Sequence, residues 1–293
     1  MAEIRVAGKL IPTPSKRANI YRLKSPNVTE KSVRALARQL GMRADAKSGR
    51  LSSDADKLSY VEEHLELTIY RASGGIRLID RSRWQIDDRK SDLQIEDAVA
   101  SRLAMNLIKK NKLARTAELK FLKAARLRVG EATKDGERVS ERTIDVAVAM
   151  QRLVDKIPVD GPGGKIIVYF DSERNLSGME KIWRDIGGVH RRNQPWRPAE
   201  SALDEMAAHF RTKQGIIEIQ EMRYGYFEDG WRSSQQYLQP AYVVFGMLTS
   251  PDGRIRKRTI YVAPALVNAV GRITPPLQRK PSQRARPPVR SQA

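Results

Sequence analysis

The sequence predicts an α+β fold of two or three modules, each a helix packed on an antiparallel sheet in the manner of cystatins. Three observations lead to this prediction. A helix-then-strands pattern occurs three times, short hairpin turns join the strands, and the connections are too short for the crossovers of a parallel sheet. We place the modules at residues 1–90, 91–197 and 198–270, followed by a final segment at 271–293.

In the first module, Thr29 is placed to cap a helix that Gly41 ends. Between them, apolar residues recur with helical spacing at Val33, Leu36, Ala37 and Leu40. A hairpin of strands at 65–70 and 76–79 follows, because alternating apolar residues flank a glycine-containing turn. The polar stretch 43–57 lacks periodicity and is predicted to be a loop.

In the second module, a helix is predicted to begin near Ser91 or Asp92. Its apolar face comprises Ile95, Ala98, Val99, Leu103, Leu107 and Ile108. Strands are predicted around 119–129, at 144–154 and at 166–170, with a helix left open for 144–154 because of its alanines. The glycine-rich stretch 161–164 is interpreted as a tight turn and not a phosphate-binding loop, because a P-loop leads into a helix whereas a strand follows here.

In the third module, Pro198 stands at a first helical position, and the helix carries an apolar stripe. Strands at 216–219 and 224–227 and a hairpin of 242–245 with 260–262 follow it. The stretch before this helix, which includes Arg191 and Arg192, is predicted to be an exposed linker.

Composition excludes several classes of protein. The chain has 293 residues, a hydrophobic content of 40% and a mean hydropathy of −0.54, so it can bury a core. No apolar run approaches the length of a membrane span, and the N-terminus lacks the apolar run of a signal peptide. We therefore expect a cytoplasmic location, with signal-independent export left open. The chain has no cysteine, which excludes disulfides, thiolate nucleophiles and cysteine-ligated metals.

The net charge of +20 is concentrated in a few stretches and favours an acidic partner: nucleic acid, an anionic membrane surface or an acidic protein. Residues 271–293 contain five prolines, six basic residues and no acid, and are predicted to form a disordered tail. Residues 102–128 form a second basic block with a single acid, Glu118. Our candidate phosphate contacts are Lys120, Lys123, Arg126 and Arg128 in this block and Arg279, Lys280, Arg284, Arg286 and Arg290 in the tail.

Four other cations of the block lie between Lys109 and Arg115, near the end of the predicted helix. Cations are stabilised there by the exposed carbonyls of the last turn. A helix terminus therefore explains these four residues as well as a phosphate site does.

Aromatic residues cluster near the third set of strands, and we take Tyr224, Tyr226, Trp231 and Tyr237 as candidate partner contacts. The alternatives are a stacking platform for single-stranded nucleic acid, a peptide groove, or core packing of a β segment. The three histidines lie in separate segments without metal-ligand spacing, and the acidic pairs are sequence neighbours that would point to opposite faces of a strand. We therefore predict no catalytic, cofactor or metal residues, and no enzyme.

Two stretches resemble the PepSY and propeptide-type modules, in which one helix packs across a curled antiparallel sheet as in cystatins. They are residues 157–170 with Trp183 and Arg184, and residues 238–245 continuing to Tyr261 and Val262. The resemblance covers about residues 20–265 and implies a noncatalytic module of an extracytoplasmic regulatory protein that binds or inhibits a peptidase, or regulates a partner. The absence of a recognisable signal peptide departs from that family.

Two functions are therefore expected. The first is a noncatalytic protein-binding or regulatory role, with sheet edges or the aromatic cluster as the contact surface. The second is nucleic-acid binding by the tail and the 102–128 block. In the second case, six tail charges engaging phosphates predict a log–log salt slope of roughly −5.

Overall fold

The structure is a computed structural model that describes residues 2–7, 11, 13–14, 16–45, 49–83, 92–132, 138–210, 215–271 and 273. The α-helices in this part of the chain are α1 (Glu30–Gln39), α2 (Asp97–Lys110) and α3 (Glu200–His209). The strands are β1 (Ala2–Val6), β2 (Ala18–Leu23), β3 (Arg50–Ser53), β4 (Lys57–Glu62), β5 (Leu65–Tyr70), β6 (Ile76–Asp80), β7 (Leu119–Ala132), β8 (Arg138–Val154), β9 (Ile157–Asp160), β10 (Lys165–Asp171), β11 (Leu176–Ile182), β12 (Ile186–Gln194), β13 (Gly215–Phe227), β14 (Tyr237–Thr249) and β15 (Arg256–Pro264).

The predicted α+β fold of two or three cystatin-like modules is wrong, because the strands form one mixed sheet of 15 strands. Its order is β12, β2, β14, β13, β9, β8, β10, β11, β6, β5, β4 and β3. The remaining strands are attached at the sides: β1 to β13, β15 to β14 and β7 to β8. Two pairings, β1 with β13 and β13 with β9, are parallel.

Strands from different predicted modules are neighbours in this sheet, which is why separate modules do not exist. β6 pairs with β11, with Leu78 opposite Met179. β2 lies between β12 and β14. The prediction grouped each helix with the hairpin that follows it in the sequence. The pairing of strands depends instead on which apolar faces they bury together, and this can join strands that are far apart in the sequence.

The first helix agrees closely with its prediction. Thr29 caps α1 in a reciprocal capping box: its hydroxyl accepts from the Ser32 amide at 3.2 Å, and the Ser32 hydroxyl accepts from the Thr29 amide at 2.9 Å. α2 begins at Asp97, several residues later than predicted. Asp92 is used elsewhere, because its carboxylate accepts from the Thr143 amide at 2.6 Å.

Removing the cap gives the first prediction. We expect Thr29→Ala to lower the free energy of unfolding by about 1 kcal/mol, because it removes the acceptor of the Ser32 amide at the start of α1. Chemical denaturation followed by circular dichroism measures the change. Thr29→Asp restores an acceptor and is expected to retain most of the wild-type stability. Equal losses in the two variants would contradict the capping role.

Two stretches predicted as irregular are strands. Residues 50–53 form β3, and the predicted linker that includes Arg191 and Arg192 forms β12. Both are short of buried apolar residues, so the hydrophobic pattern alone does not reveal them. The tight-turn prediction at 161–164 is confirmed, with Gly161 and Gly164 at φ values of 97° and 67°.

The core is divided between the two halves of the sheet. α1 and α2 cover one face of the half that runs from β8 to β4, where Ile108, Val148 and Met179 belong to one buried cluster. α3 packs over the other half through Ala202 and Met206, against Ile217 and Val244. None of the helices in the described part of the chain combines the length and apolar character needed to span a bilayer.

Candidate functional site

A cavity of about 930 Å³ lies where the two halves of the sheet meet. Its walls are the end of α2 with the 3₁₀ turn Thr116–Glu118, the end of β8, and the segment that links β11 to β12. The lining is completed by Tyr21 in β2 and by Lys24, the residue that follows this strand.

The lining is rich in positive charge. It contains six basic side chains and three acidic ones; the basic ones are Lys24, Lys109, Lys112, Arg115, Arg152 and Lys181. Two of the acids, Asp155 and Glu118, are engaged by neighbours. Asp155 accepts from the Tyr21 hydroxyl at 2.5 Å, and Glu118 pairs with Arg115 at 2.9 Å. Within the described residues, none of the four lysines forms a salt bridge.

Arg152 is the buried cation of the cavity, with only 4% of its side chain exposed. Its guanidinium lies 4.7 Å from the ring centre of Trp183, and Nη1 donates to the Arg184 carbonyl at 2.7 Å. Nε is 3.8 Å from Glu118 and has no hydrogen-bond partner among the described residues. A buried donor without an acceptor is costly, and an anion in the cavity could supply that acceptor.

Burial also disfavours charge on the cations of this region. It lowers the pKa of Arg152, although the nearby carboxylates of Glu228 and Glu118 act in the opposite direction. Burial likewise lowers the pKa of Lys181, with Asp185 opposing the effect. A bound anion would stabilise the protonated forms, so anion binding and protonation are expected to reinforce one another.

Behind Arg152, a buried ion network joins the two halves of the sheet. Glu228 is fully buried, with its carboxylate 3.7 Å from Arg152 and 3.3 Å from Arg184. The Arg184 amide also donates to this carboxylate at 2.8 Å. The Arg184 guanidinium donates to the carbonyls of Asp229, Gly230 and Ser233, and so holds the loop after β13 in place.

The predicted phosphate contacts of the basic block lie outside the cavity. Lys120 and Lys123 are exposed on β7. Arg126 pairs with Asp97 at 2.7 Å at the start of α2, and Arg128 lies 3.9 Å from Glu141. The tail contacts Arg279, Lys280, Arg284, Arg286 and Arg290 lie outside the described residues.

The predicted aromatic contacts do not share one surface. Tyr226 is fully buried and donates to the Asn19 carbonyl at 3.0 Å. Tyr224 is 36% exposed and packs edge-on against Trp196. Trp231 contacts Tyr70, and Tyr237 contacts His190, each with ring centres less than 5 Å apart (4.9 and 4.7 Å). Packing within and between strands therefore occupies much of their surface.

Sequence reasoning missed Lys24, Arg152 and Lys181 because they lie outside the two basic blocks at 102–128 and 271–293. Lys109, Lys112 and Arg115 were noticed as cations at a helix end, and α2 does end at Lys110. In the structure these three residues line the same cavity as Lys24, Arg152 and Lys181. Strand alternation offered one signal, because Lys181 is two residues from the buried Met179 and shares its face.

Fold and cavity together define a large mixed-sheet protein with a cationic cavity at the junction of its halves. No family model matches the chain, and no curated protein matches it. Among solved structures, it is similar to an uncharacterized protein from Eubacterium rectale, with a TM-score of 0.53 and 12% identity, over 93% of this chain and 90% of that one. At this identity the likeness shows the fold alone, and the resemblance to the PepSY family stays a prediction.

In the described part of the chain, no group of three or more histidine or acidic side chains is arranged to hold a metal ion.

Proposed function

We propose that this protein binds a nucleic-acid strand without catalysing a reaction on it, and that the cationic cavity holds phosphates of the strand. The observation that carries the proposal is the convergence of six basic side chains from four separate stretches of chain on one cavity. Lysine and arginine contacts to phosphate supply most of the affinity of nucleic-acid binding that does not depend on sequence.

The charge of the whole chain supports the same conclusion. A net charge of +20 creates a field that attracts polyanions before contact is made. Lys109 and Lys112 are exposed at the mouth of the cavity, while Arg152 lies buried within it. An entering phosphate would therefore meet exposed lysine ammonium groups at the mouth and one guanidinium held inside the cavity.

The test is fluorescence anisotropy of a labelled single strand of about 16 nucleotides, titrated with the full chain at several salt concentrations. The double variant Lys109→Glu with Lys112→Glu removes two phosphate contacts. We expect it to weaken binding by about tenfold or more and to make the log–log salt slope less steep by about 1.4, since each phosphate contact to a single strand contributes about 0.7. Circular dichroism checks that this double variant and its control are folded.

The matched control is Lys31→Glu with Lys257→Glu, which changes the net charge equally at exposed sites outside the cavity. It is expected to have a much smaller effect. Equal losses in both double variants would overturn the role of the cavity. Equal competition by polyglutamate would overturn nucleic acid as the preferred ligand, because any polyanion would then bind equally well. A chain ending at Val270 measures the contribution of the predicted basic tail separately.

The other expected function, a noncatalytic protein-binding or regulatory role, stays a prediction. An apolar cleft between β7 and β15, separate from the cationic cavity, is a candidate contact surface for such a role.

A further inference from the structure

A second cleft, of about 310 Å³, lies on the face of the sheet opposite α3 and next to the β7–β8 hairpin. Its lining is mostly apolar and comes from both halves of the sheet: Leu122, Phe227, Val243, Phe245, Ile260 and Val262. The buried cluster beneath it, formed by residues of β13, β14 and β15, contains no helical residue. Leu122 is 38% exposed at the rim.

Two sheet edges contribute to this cleft. Within the described residues, β7 pairs with β8 alone and β15 pairs with β14 alone. The pairing of β15 runs without a register shift from Arg256 to Pro264, so its outer edge is regular. β7 has a bulge beside Leu122, a feature that protects an edge from nonspecific pairing. β15 is therefore the edge better suited to accept another strand.

The rim of the cleft is positively charged. Lys120 and Lys123 lie opposite Gln151 and Ala149 in the β7–β8 register, on the cleft face. Arg258 shares a face with Ile260 on β15. Arg223 lies 4.4 Å from the ring centre of Phe245.

Two of the nearby acids lie close to the same arginine and so do not neutralise the rest of the rim. Arg223 is 3.7 Å from Asp160 and 3.2 Å from Glu221. The two lysines of β7 and Arg258 form no salt bridge within the described residues. An incoming segment that carries acidic side chains therefore meets cations on both sides of the cleft.

We propose that this cleft is the docking site for an extended acidic segment of a partner protein. Apolar side chains of the segment would fill the space around Leu122 and Phe245, its acidic side chains would face Lys123 and Arg258, and its backbone would pair with the outer edge of β15. On a strand paired with β15, side chains at every second position face the cleft, so apolar and acidic residues two positions apart would reach its floor and its rim. The proposal does not depend on the nucleic-acid function or on the cavity around Arg152.

Charge complementarity is what selects this occupant. A second copy of the chain carries the same net charge of +20 and would be repelled by the rim. A nucleic-acid strand finds few exposed rings to stack on, because Phe227 is buried and Arg223 lies over Phe245.

The test starts from selection of a phage library of random peptides of about 10 residues, one strand in length, on the immobilised full chain. The expected consensus has both apolar and acidic residues among the side chains at every second position, which is the set that would face the cleft. A labelled synthetic peptide of that consensus is then titrated with variants. We expect Leu122→Glu to weaken binding by about tenfold or more, because it places a carboxylate where apolar side chains of the segment would pack and close to its acidic side chains.

The matched control is Leu127→Glu, on the same strand, with 49% exposure and outside the cleft lining. It is expected to bind the peptide within about twofold of wild type. Arg258→Glu is expected to weaken binding and to reduce its salt dependence. The proposal is overturned if no peptides are enriched, if the enriched peptides lack acidic residues, or if Leu122→Glu and Leu127→Glu have equal effects.

Discussion

Replacing Glu228 with leucine is expected to lower the free energy of unfolding by about 3–5 kcal/mol. Glu228 is fully buried between two arginines, each with less than a twentieth of its side chain exposed (4% for Arg152 and 1% for Arg184). Removing the carboxylate leaves two buried guanidinium groups without their shared counter-ion. The loss is a large part of the 5–15 kcal/mol that stabilises a typical domain.

The same substitution also removes an acceptor that holds the chain in place. The Arg184 amide donates to the Glu228 carboxylate at 2.8 Å, and Gly163 donates to the Glu228 carbonyl at 2.8 Å. The turn before β10 and the segment after β11 thus meet at one residue. A Cβ at Gly163 would lie 2.6 Å from the Asp229 carbonyl oxygen, so glycine is required for this approach.

Guanidinium chloride denaturation of wild type, Glu228→Leu and Glu63→Gln measures the effect. Glu63 is the control, since it pairs with Arg43 at 3.6 Å on the surface with 61% of its side chain exposed, and its loss should cost less than about 1 kcal/mol. Adding Arg152→Met to Glu228→Leu should recover part of the loss, because it removes one of the stranded charges. A Glu228→Leu variant within about 1 kcal/mol of wild type would contradict the structural role of the network.

Local elements could be predicted from the sequence because their signals lie within a few residues. The Thr29 cap and the Gly41 end define α1, and the glycine-containing turn at residues 73–75 defines the β5–β6 hairpin. The order of the strands could not be predicted in this way. Nothing near Leu78 in the sequence indicates that its neighbour across the sheet is Met179.

The long strands show a second limit. β13 was predicted as two strands, because Glu218, Glu221 and Arg223 interrupt the apolar pattern around a bulge. In the sheet these side chains lie at the solvent side or the cleft rim, and one strand continues through them. A charged residue in a strand therefore marks an open face and not an end.

The candidate site was predictable only in part, for a similar reason. A block of cations such as Lys109–Arg115 is visible in the sequence, but the isolated Arg152 and Lys181 become informative only when the fold brings them to the same cavity. These two cations are candidates for a functional site because they are largely removed from solvent, and that burial depends on the packing of the whole sheet.

The stability of the protein is also expected to fall steeply as the pH rises above about 10. Burial raises the pKa of five tyrosines: Tyr21, Tyr169, Tyr226, Tyr242 and Tyr261. In the unfolded chain these phenols ionise near pH 10, whereas in the folded protein they stay neutral to higher pH. Their contribution to stability is therefore complete below pH 10 and is lost as the pH rises through the folded pKa values.

Two partly buried lysines act in the opposite direction at lower pH. Burial lowers the pKa of Lys165 and of Lys181, so the unfolded state holds these protons more tightly than the folded state. Stability contributed by the two lysines therefore increases as the pH rises from their lowered pKa values towards 10.5, the ordinary lysine value. The expected profile is a rise on the alkaline side of neutrality, followed by a fall once the tyrosines of the unfolded chain ionise.

Tyr169 provides the sharpest test of the alkaline fall, because burial raises its pKa to about 12. A shift of this size corresponds to roughly 2 kcal/mol lost between pH 10 and 12, after allowance for solvent screening of a half-buried ring. We expect Tyr169→Phe to remove that part of the fall, measured by urea denaturation at a series of pH values. Tyr224→Phe, which removes the hydroxyl of a residue that is 36% exposed, serves as the control for loss of a phenol elsewhere on the sheet. If the profile of Tyr169→Phe coincided with that of wild type, the buried phenol would not be the source of the alkaline instability.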